Sequence, residues 1–168
     1  KAYTDTGLYR GLQTLRQLYE RGGWTARVIL DWPAFPWRGF MMDVGRTYIP
    51  LEELKQEIDL LARFKVNVFH WHLTENEAWR LESKLYPKLN DRASMTRMAG
   101  RYYTQEEARE LVQYCKARRV LLIPEIDMPG HMLGALAAYP ELGCTGGPYQ
   151  VAEKWGVFPD ILCAGNPK

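Results

Sequence analysis

Three apolar segments of strand length each end in side chains that can do chemistry. All three histidines, four acids and one arginine follow these segments directly. In chain order they are Asp43, Arg46, His70, His72, Glu75, Glu125, Asp127 and His131. Such side chains can transfer protons, form ion-pair networks or bind a metal ion. Since parallel α/β proteins place their active sites at the carboxyl ends of strands, the pattern predicts a functional site at these ends.

The alternation along the second segment separates its polar from its apolar side chains. Alternate residues of a strand face the same side, so His70 and His72 share one face while Phe69 and Trp71 share the other. The apolar face is the one that helices would cover, so both histidines are predicted to face the opposite side. The third segment repeats this arrangement along the face that carries Leu121, Ile123, Glu125 and Asp127.

Helix and strand signals alternate along the chain. We predict helices over 7–21, from 50 to about 64, over 104–118 and over 133–138, and strands over 38–44, 66–73 and 120–126. Thr104 and Glu107 form the pattern of a capping box, and 24–37 has the Trp and Pro content of a linker or a short strand with turns. This order indicates an α/β fold, a parallel sheet with crossover helices, which begins both doubly wound sheets and eight-stranded barrels.

The composition excludes some classes of partner. The 168 residues include 22 basic and 20 acidic side chains, a net charge of +2 that argues against a nucleic-acid partner. The strongest apolar run, 120–123, is far shorter than the roughly 20 residues of a membrane span. The first residues lead directly into a helical pattern, so we expect no signal peptide in this chain. Cys144 and Cys163 lie in glycine-rich loops, where a disulfide and two free thiols are both open.

Each of these side chains also has a plain structural interpretation. A single histidine in a strand is commonly a hydrogen-bonded core residue, and Glu125 and Asp127 could be buried structural acids. Trp71 and Trp79 are expected to pack in the core rather than to bind sugars. A different chemistry is also open, because two imidazoles on one strand face could hold zinc, with Glu75 or Asp127 as a further ligand.

Three long motifs resemble successive signatures of glycoside hydrolase family 20. They are RGFMMDVGR at 38–46, NVFHWHLTE at 67–75 and PEIDMPGH at 124–131. The shorter motifs YPKL at 86–89 and AYPEL at 138–142 fit the same family. Because the motifs occur in the family's order over nearly the whole chain, the sequence is identified as resembling a family 20 β-N-acetylhexosaminidase.

The resemblance implies both a fold and a reaction. It implies a (β/α)8 TIM barrel that removes terminal β-linked N-acetylglucosamine or N-acetylgalactosamine from glycans with retention of configuration. The acetamido oxygen of the substrate then attacks the anomeric carbon and forms an oxazolinium intermediate, so the family is an exception to the usual two-carboxylate scheme. No metal and no other cofactor is implied, and an exported protein (periplasmic, extracellular or lysosome-like) is expected.

The resemblance also assigns roles to five residues. Arg46 matches the arginine that binds sugar hydroxyls, for which its fixed fork of donors is suited. Glu75 and His131 match an acid–histidine pair that supports the catalytic glutamate. For Asp127 we expect a supporting role beside this pair, and His72 is expected to join the same polar network.

Two departures from the family pattern limit these assignments. Glu75-Asn76 stands where the family often has two acids, and no Asp-Glu dipeptide occurs, although the family's orienting and acid/base residues form one at the end of the fourth strand. We therefore expect residues 1–23 to be the last helix of an ancillary domain and 24–168 to be the barrel's N-terminal portion, truncated before the fourth strand. Such a chain needs the rest of the barrel and is expected to be inactive alone. A metal-dependent hydrolase using His70 and His72, or a non-catalytic sugar-binding half-barrel, are the alternatives.

Overall fold

The computed structural model describes residues 1–23 and 26–166 and has the alternating order that the sequence predicts. Its helices and strands, in chain order, are α1 (Asp5–Glu20), β1 (Gly39–Asp43), α2 (Leu51–Arg63), β2 (Val68–His72), α3 (Gln105–Ala117), β3 (Leu121–Glu125) and α4 (Leu133–Ala138). The three strands form one parallel sheet in the order β1-β2-β3. The predicted α/β architecture is therefore confirmed, and each strand is one or two residues shorter at either end than the sequence indicated.

The register of the sheet aligns the last residues of its three strands. Asp43 lies opposite His72, and His72 lies opposite Glu125. The side chains of one register row point to one face, so an acid, a histidine and an acid stand side by side at the carboxyl edge. Two residues earlier on the same face, His70 lies between Met41 of β1 and Ile123 of β3.

The core lies between the other face of the sheet and the helices α2 and α3. Phe69 and Trp71 from β2 are at most 1% exposed and pack with Leu54, Ile58 and Leu111 from the two helices. Full burial of such a side chain stabilises the fold by about 1.5–3 kcal/mol. The predicted separation of apolar and histidine faces is confirmed, and this apolar face holds the sheet against its crossover helices.

The opposite face of the sheet is open. Met41 and Leu121 on the two outer strands are 53% and 56% exposed, although strand residues of this kind are usually covered. Met41, Val68, His70 and Ile123 border a groove along this face of the sheet. The row of Asp43, His72 and Glu125 at the carboxyl edge therefore lies at one end of this open groove.

Helix α1 is the element in which the structure differs most from the sequence prediction. It begins at Asp5 rather than at residue 7, because the Thr4 side chain accepts a hydrogen bond from the Gly7 amide and caps the helix. Most of its large apolar residues lie outside the core, as Leu8 and Tyr19 show, which are 57% and 64% exposed. The helix is attached by Tyr9, which packs against the core, and by polar contacts such as that of the Gln17 amide with the Arg63 carbonyl, at 2.8 Å.

The predicted linker contains no helix or strand between residues 26 and 37. Its first two residues, Trp24 and Thr25, lie outside the described residues, as do Pro167 and Lys168. Among the residues that are described, no helix combines the length and the apolar character that crossing a membrane requires.

Candidate functional site

Glu75 is the centre of the polar site. Its side chain is 1% exposed, and one carboxylate oxygen, Oε1, meets three cationic or potentially cationic groups. The distances are 2.6 Å to Arg46 NH2, 2.8 Å to His131 Nδ1 and 3.2 Å to His72 Nε2. The second oxygen, Oε2, accepts a hydrogen bond from the Asn76 amide at 3.0 Å and lies 2.9 Å from the same His131 Nδ1, which therefore contacts both oxygens. A single buried carboxylate thus joins residues from three separate segments of the chain.

The turn after β1 brings Arg46 to this carboxylate. The Arg46 amide donates to Asp43 Oδ1 at 3.0 Å, and its guanidinium also pairs with Asp43 through Oδ2. Gly45 allows the close approach, since a Cβ at this position would lie 2.9 Å from the Cβ of Glu75. The Arg46 side chain remains 30% exposed, so part of its donor fork faces solvent.

The network continues from Glu75 into the sheet. His72 uses its other ring nitrogen, Nδ1, to contact Glu125 Oε2 at 2.7 Å. The same oxygen of Glu125 lies 2.5 Å from His70 Nε2. The structure thus places His72 between Glu75 and Glu125, and the ends of β2 and β3 supply these contacts.

These contacts set the charges of the site. The hydrogen bond to Glu75, together with the contact to Glu125, raises the pKa of His72 to about 9 despite its burial. Burial opposes ionisation of Glu75, but hydrogen bonds from His72, the Asn76 amide and His131, with the charge of Arg46, lower its pKa to about 2. At neutral pH the centre is an imidazolium–carboxylate pair.

The residues around the charged pair reinforce it. Burial opposes the charge of Arg46, but its hydrogen bond to Asp43 and the charges of Asp43 and Glu75 raise its pKa. Burial also opposes the charge of Glu125, but His72 and His70 outweigh it and lower the pKa of this carboxyl. From Asp43 through Arg46, Glu75 and His72 to Glu125, the cluster therefore alternates anions and cations.

His131 reaches Glu75 from an unusual backbone conformation. Its φ of 55° lies in the left-handed region, which costs a residue other than glycine on the order of 1–3 kcal/mol. Its ring is 41% exposed, with Nε2 3.9 Å from Asp127 Oδ2. Asp127 is held through its amide, which donates to Thr74 Oγ1 at 3.0 Å. The loop after β3 thus holds a half-exposed imidazole against a buried acid.

The structure brings together the five residues that the sequence singled out, and it adds two. Asn76, whose role the sequence left open, links Glu75 to the α4 region: its Oδ1 accepts from the Leu133 amide at 3.4 Å. Its carbonyl also accepts from the Ala152 amide at 2.9 Å. Arg80 is 0% exposed and its guanidinium donates to backbone carbonyls, among them that of Gly45. No motif marks Arg80, because an arginine in irregular sequence has the signature of a solvated one.

Comparison with known proteins identifies this arrangement. The sequence profile described as "Glycosyl hydrolase family 20, catalytic domain" matches residues 35–168. The chain belongs to glycosyl hydrolase family 20. All five predicted site residues and Glu125 lie within the matched region. The match to family 20 includes all three strands of the sheet. It leaves out helix α1 and the first part of the predicted linker.

Named family 20 relatives are similar over nearly all of this chain. A beta-hexosaminidase of Porphyromonas gingivalis is 44% identical over 177 aligned residues, which cover 95% of this chain and 23% of the relative. A crystal structure of a beta-N-acetylhexosaminidase superposes with a TM-score of 0.88 at 41% identity, covering 96% of this chain and 37% of that one. A mutant Streptomyces plicatus beta-hexosaminidase in complex with its product GlcNAc gives 0.86 at 37% identity, covering 94% and 34%. The chain therefore spans about a quarter to a third of the length of these relatives, and its three parallel strands match part of a family 20 TIM barrel.

The same side chains also form the grouping that a metal ion would need. Ligand atoms of Asp43, His72 and Glu75 lie within 4.8 Å of one another, as do those of His72, Glu125 and Asp127. In both groups His72 already uses its two ring nitrogens on carboxylates, and Arg46 neutralises Asp43 and Glu75. A metal ligand must be a deprotonated imidazole, so metal binding would have to break this ion-paired network.

Proposed function

We propose that these residues form the sugar-binding and supporting half of a β-N-acetylhexosaminidase site. The reaction is removal of a terminal β-linked N-acetylglucosamine or N-acetylgalactosamine, with retention and with the substrate's acetamido oxygen as nucleophile. The observation that carries the proposal is the shared carboxylate of Glu75, which places the exposed Arg46 fork beside the half-exposed His131 ring. Membership of family 20 and the names of the relatives support the choice of substrate.

Arg46 is proposed to bind sugar hydroxyls. Asp43 and Glu75 hold its guanidinium from two sides, so little conformational freedom would be lost on binding. The remaining N–H groups form a planar fork that matches two adjacent hydroxyl oxygens. Arg46→Lys keeps the charge but loses the fork, and we expect it to weaken substrate binding and turnover together.

His131 and Glu75 are proposed to position and tune the glutamate that acts as general acid and base. A general acid must be protonated near the working pH and must then act as a base, so its environment has to be fixed. Glu75 fixes the imidazole through Nδ1 at 2.8 Å, and Asp127 lies near its other nitrogen. The glutamate itself is expected in polypeptide outside these 168 residues, since the sequence contains no Asp-Glu pair.

The 168-residue chain by itself is proposed to be inactive and to bind N-acetylglucosamine weakly or not at all. In the described part of the chain, the three-stranded sheet has two unpaired edges and one exposed face, and the resemblance assigns the acid/base to a further strand. The domain assignment remains part of this proposal: residues 1–23 as the end of an ancillary domain, 24–168 as the first part of the barrel. The exposed apolar stripe of α1 is consistent with a further packing partner. Export of the protein is proposed on the resemblance alone.

The experiment is a comparison of two purified polypeptides on an aryl β-N-acetylglucosaminide. One is encoded by the complete reading frame that contains these residues, and the other is its Arg46→Lys variant. We expect release of the aryl group by the first and a kcat/KM lower by about 10-fold or more for the second, the loss that one good charge-assisted contact gives. Equal kcat/KM values would show that Arg46 does not bind the sugar. Stoichiometric zinc in elemental analysis, with loss of activity on chelation, would favour the metal-dependent alternative.

A further inference from the structure

Glu125 holds two histidines with one carboxylate oxygen. Its Oε2 lies 2.5 Å from His70 Nε2 and 2.7 Å from His72 Nδ1. The two histidines are two residues apart on β2 and face the same side, and Glu125 is the register partner of His72 on β3. Because both contacts come from adjacent hydrogen-bonded strands, the carboxylate and the two rings are fixed by the sheet rather than by a loop.

The contact with Glu125 restricts how His72 can meet Glu75. The His72 ring is buried and donates from Nδ1 to Glu125 and from Nε2 to Glu75. With partners at both nitrogens, rotating the ring would break at least one contact to a charged group. The same Glu75 oxygen that His72 contacts is the one shared by Arg46 and His131. A shift of Glu125 would therefore also shift His72 and, through it, the carboxylate of Glu75.

We propose that Glu125 is a positioning residue, which acts through His72 to fix Glu75 and thereby the contact between Glu75 and His131. The effect of Glu125 on catalysis rests on the proposed function, in which His131 supports the acid/base glutamate. The structural part of the inference is independent of any turnover. None of the motif positions to which the resemblance gave a role includes Glu125.

The groups that face His72 are few and can be separated experimentally. Glu125 faces it from β3, Asp43 from β1 and Glu75 from the segment after β2. The His131 ring lies edge-on to the His72 ring at 6.2 Å between centroids. Asp127 is a further acid at the end of β3, 3.9 Å from His131. Loss of Glu125 would leave His72 with Asp43, Glu75 and Asp127 as nearby carboxylates and with a free Nδ1 donor.

The test is histidine side-chain NMR on the ¹⁵N-labelled 168-residue chain. The chain has three histidines, and all of them are in this network, so every ring signal reports on it. In the Glu125→Gln variant we expect the titration midpoint of His72 to fall by about one pH unit or more, the effect of losing one adjacent opposite charge. We also expect the ring signals of His131 to move, although His131 does not touch Glu125.

Asp127→Asn is the matched control, because it removes the same charge two residues along the chain. Its effect on His72 should be clearly smaller than that of Glu125→Gln, and Glu125→Asp should restore part of the His72 titration. If Glu125→Gln unfolds the chain, His70→Gln tests the same point more mildly, since it removes only the outer partner of Glu125. Unchanged His72 and His131 signals in a folded Glu125 variant, or an equal effect of Asp127→Asn, would overturn the inference.

Failure of this inference and failure of the proposed function give different results. If the full polypeptide releases the sugar and the NMR shows no coupling, only the positioning role of Glu125 is wrong. If the coupling is present and the full polypeptide is inactive, the proposed function fails and the network stands as a structural one. In an active full polypeptide, Glu125→Gln should move the pH profile of kcat/KM and not merely lower the yield of folded protein.

Discussion

Arg46 and His131 contact the same atom, Oε1 of Glu75, at 2.6 and 2.8 Å. They come from the turns after β1 and β3, so the buried carboxylate connects two loops on either side of the central strand. In the proposed function one residue grips the sugar and the other supports proton transfer. The shared oxygen couples the two, because neither can move without disturbing the other's partner.

Replacement of Glu75 by glutamine should strongly destabilise the fold. Removing the charge leaves His72 and Arg46 without their common partner, and loss of one member of a buried ion pair typically costs about 3–5 kcal/mol. We expect the free energy of unfolding of the chain, measured with urea, to fall by about 3 kcal/mol, the lower end of that range. The exposed Glu53 gives the matched control: Glu53→Gln should change stability by less than about 0.5 kcal/mol. Equal effects of the two substitutions would show that the network does not stabilise the fold.

The stability of the chain should depend on pH on both sides of a plateau. The pKa of Glu75 is lowered from 4.5 to about 2, so its contribution is present above pH 4.5 and is lost as the pH falls towards 2. The pKa of His72 is raised from 6.5 to about 9, so its contribution is complete below pH 6.5 and is lost as the pH rises through 9. Urea unfolding across this range should give the highest stability between about pH 4.5 and 6.5. His72→Gln should flatten the alkaline decline, and a wild-type curve that is level from pH 6.5 to 9 would contradict the assignment.

Gly45 should tolerate no side chain. A Cβ there would lie 2.9 Å from Glu75 Cβ and 3.1 Å from the Thr74 carbonyl carbon, so Gly45→Ala must displace the backbone that carries Arg46. We expect a loss of about 1–3 kcal/mol in the free energy of unfolding, as for other overpacked sites. Gly11→Ala is the opposite control: Gly11 lies within α1 with nothing within 4 Å, and it should gain about 0.5–1 kcal/mol. A stabilising Gly45→Ala would refute the close contact.

Cys144 and Cys163 should form a disulfide on mild oxidation. Both are free thiols in the structure, and their side chains interact across an antiparallel bridge formed by their neighbours Gly143 and Leu162. With oxidised glutathione as acceptor, thiol–disulfide exchange would link the two sulfurs and release two glutathione thiols. Peptide mapping by mass spectrometry should show the linked pair, and the closed loop should stabilise the fold by about 3 kcal/mol. Cys115 is buried and should stay unmodified, so a mixed pairing that includes it would contradict the geometry.

The sequence predicted the elements well because their signals are local. The capping box of Thr104 and Glu107 begins α3 as expected, and α4 has the predicted bounds. The faces of β2 follow directly from its alternation. Helix α1 shows the limit of such reasoning: the helix was predicted, but the exposure of Leu8 and Leu12 was not, because periodicity does not reveal what a helix packs against.

The site was predictable in membership but not in connectivity. Strand ends and family motifs located Arg46, Glu75 and His131, whereas the sharing of one Glu75 oxygen depends on distances between loops. Arg80 was not predicted for a similar reason, since its carbonyl partners lie in irregular sequence both before and after β2. Such long-range contacts leave no periodic trace in the chain.

The most direct test of the account is sugar release by two polypeptides assayed side by side. The polypeptide encoded by the complete reading frame and the purified 168-residue chain are each given an aryl β-N-acetylglucosaminide, and the freed aryl alcohol is measured. The account predicts release by the first polypeptide and no release above the uncatalysed rate by the second. Release by the 168-residue chain, or none by a folded full-length polypeptide, would contradict it.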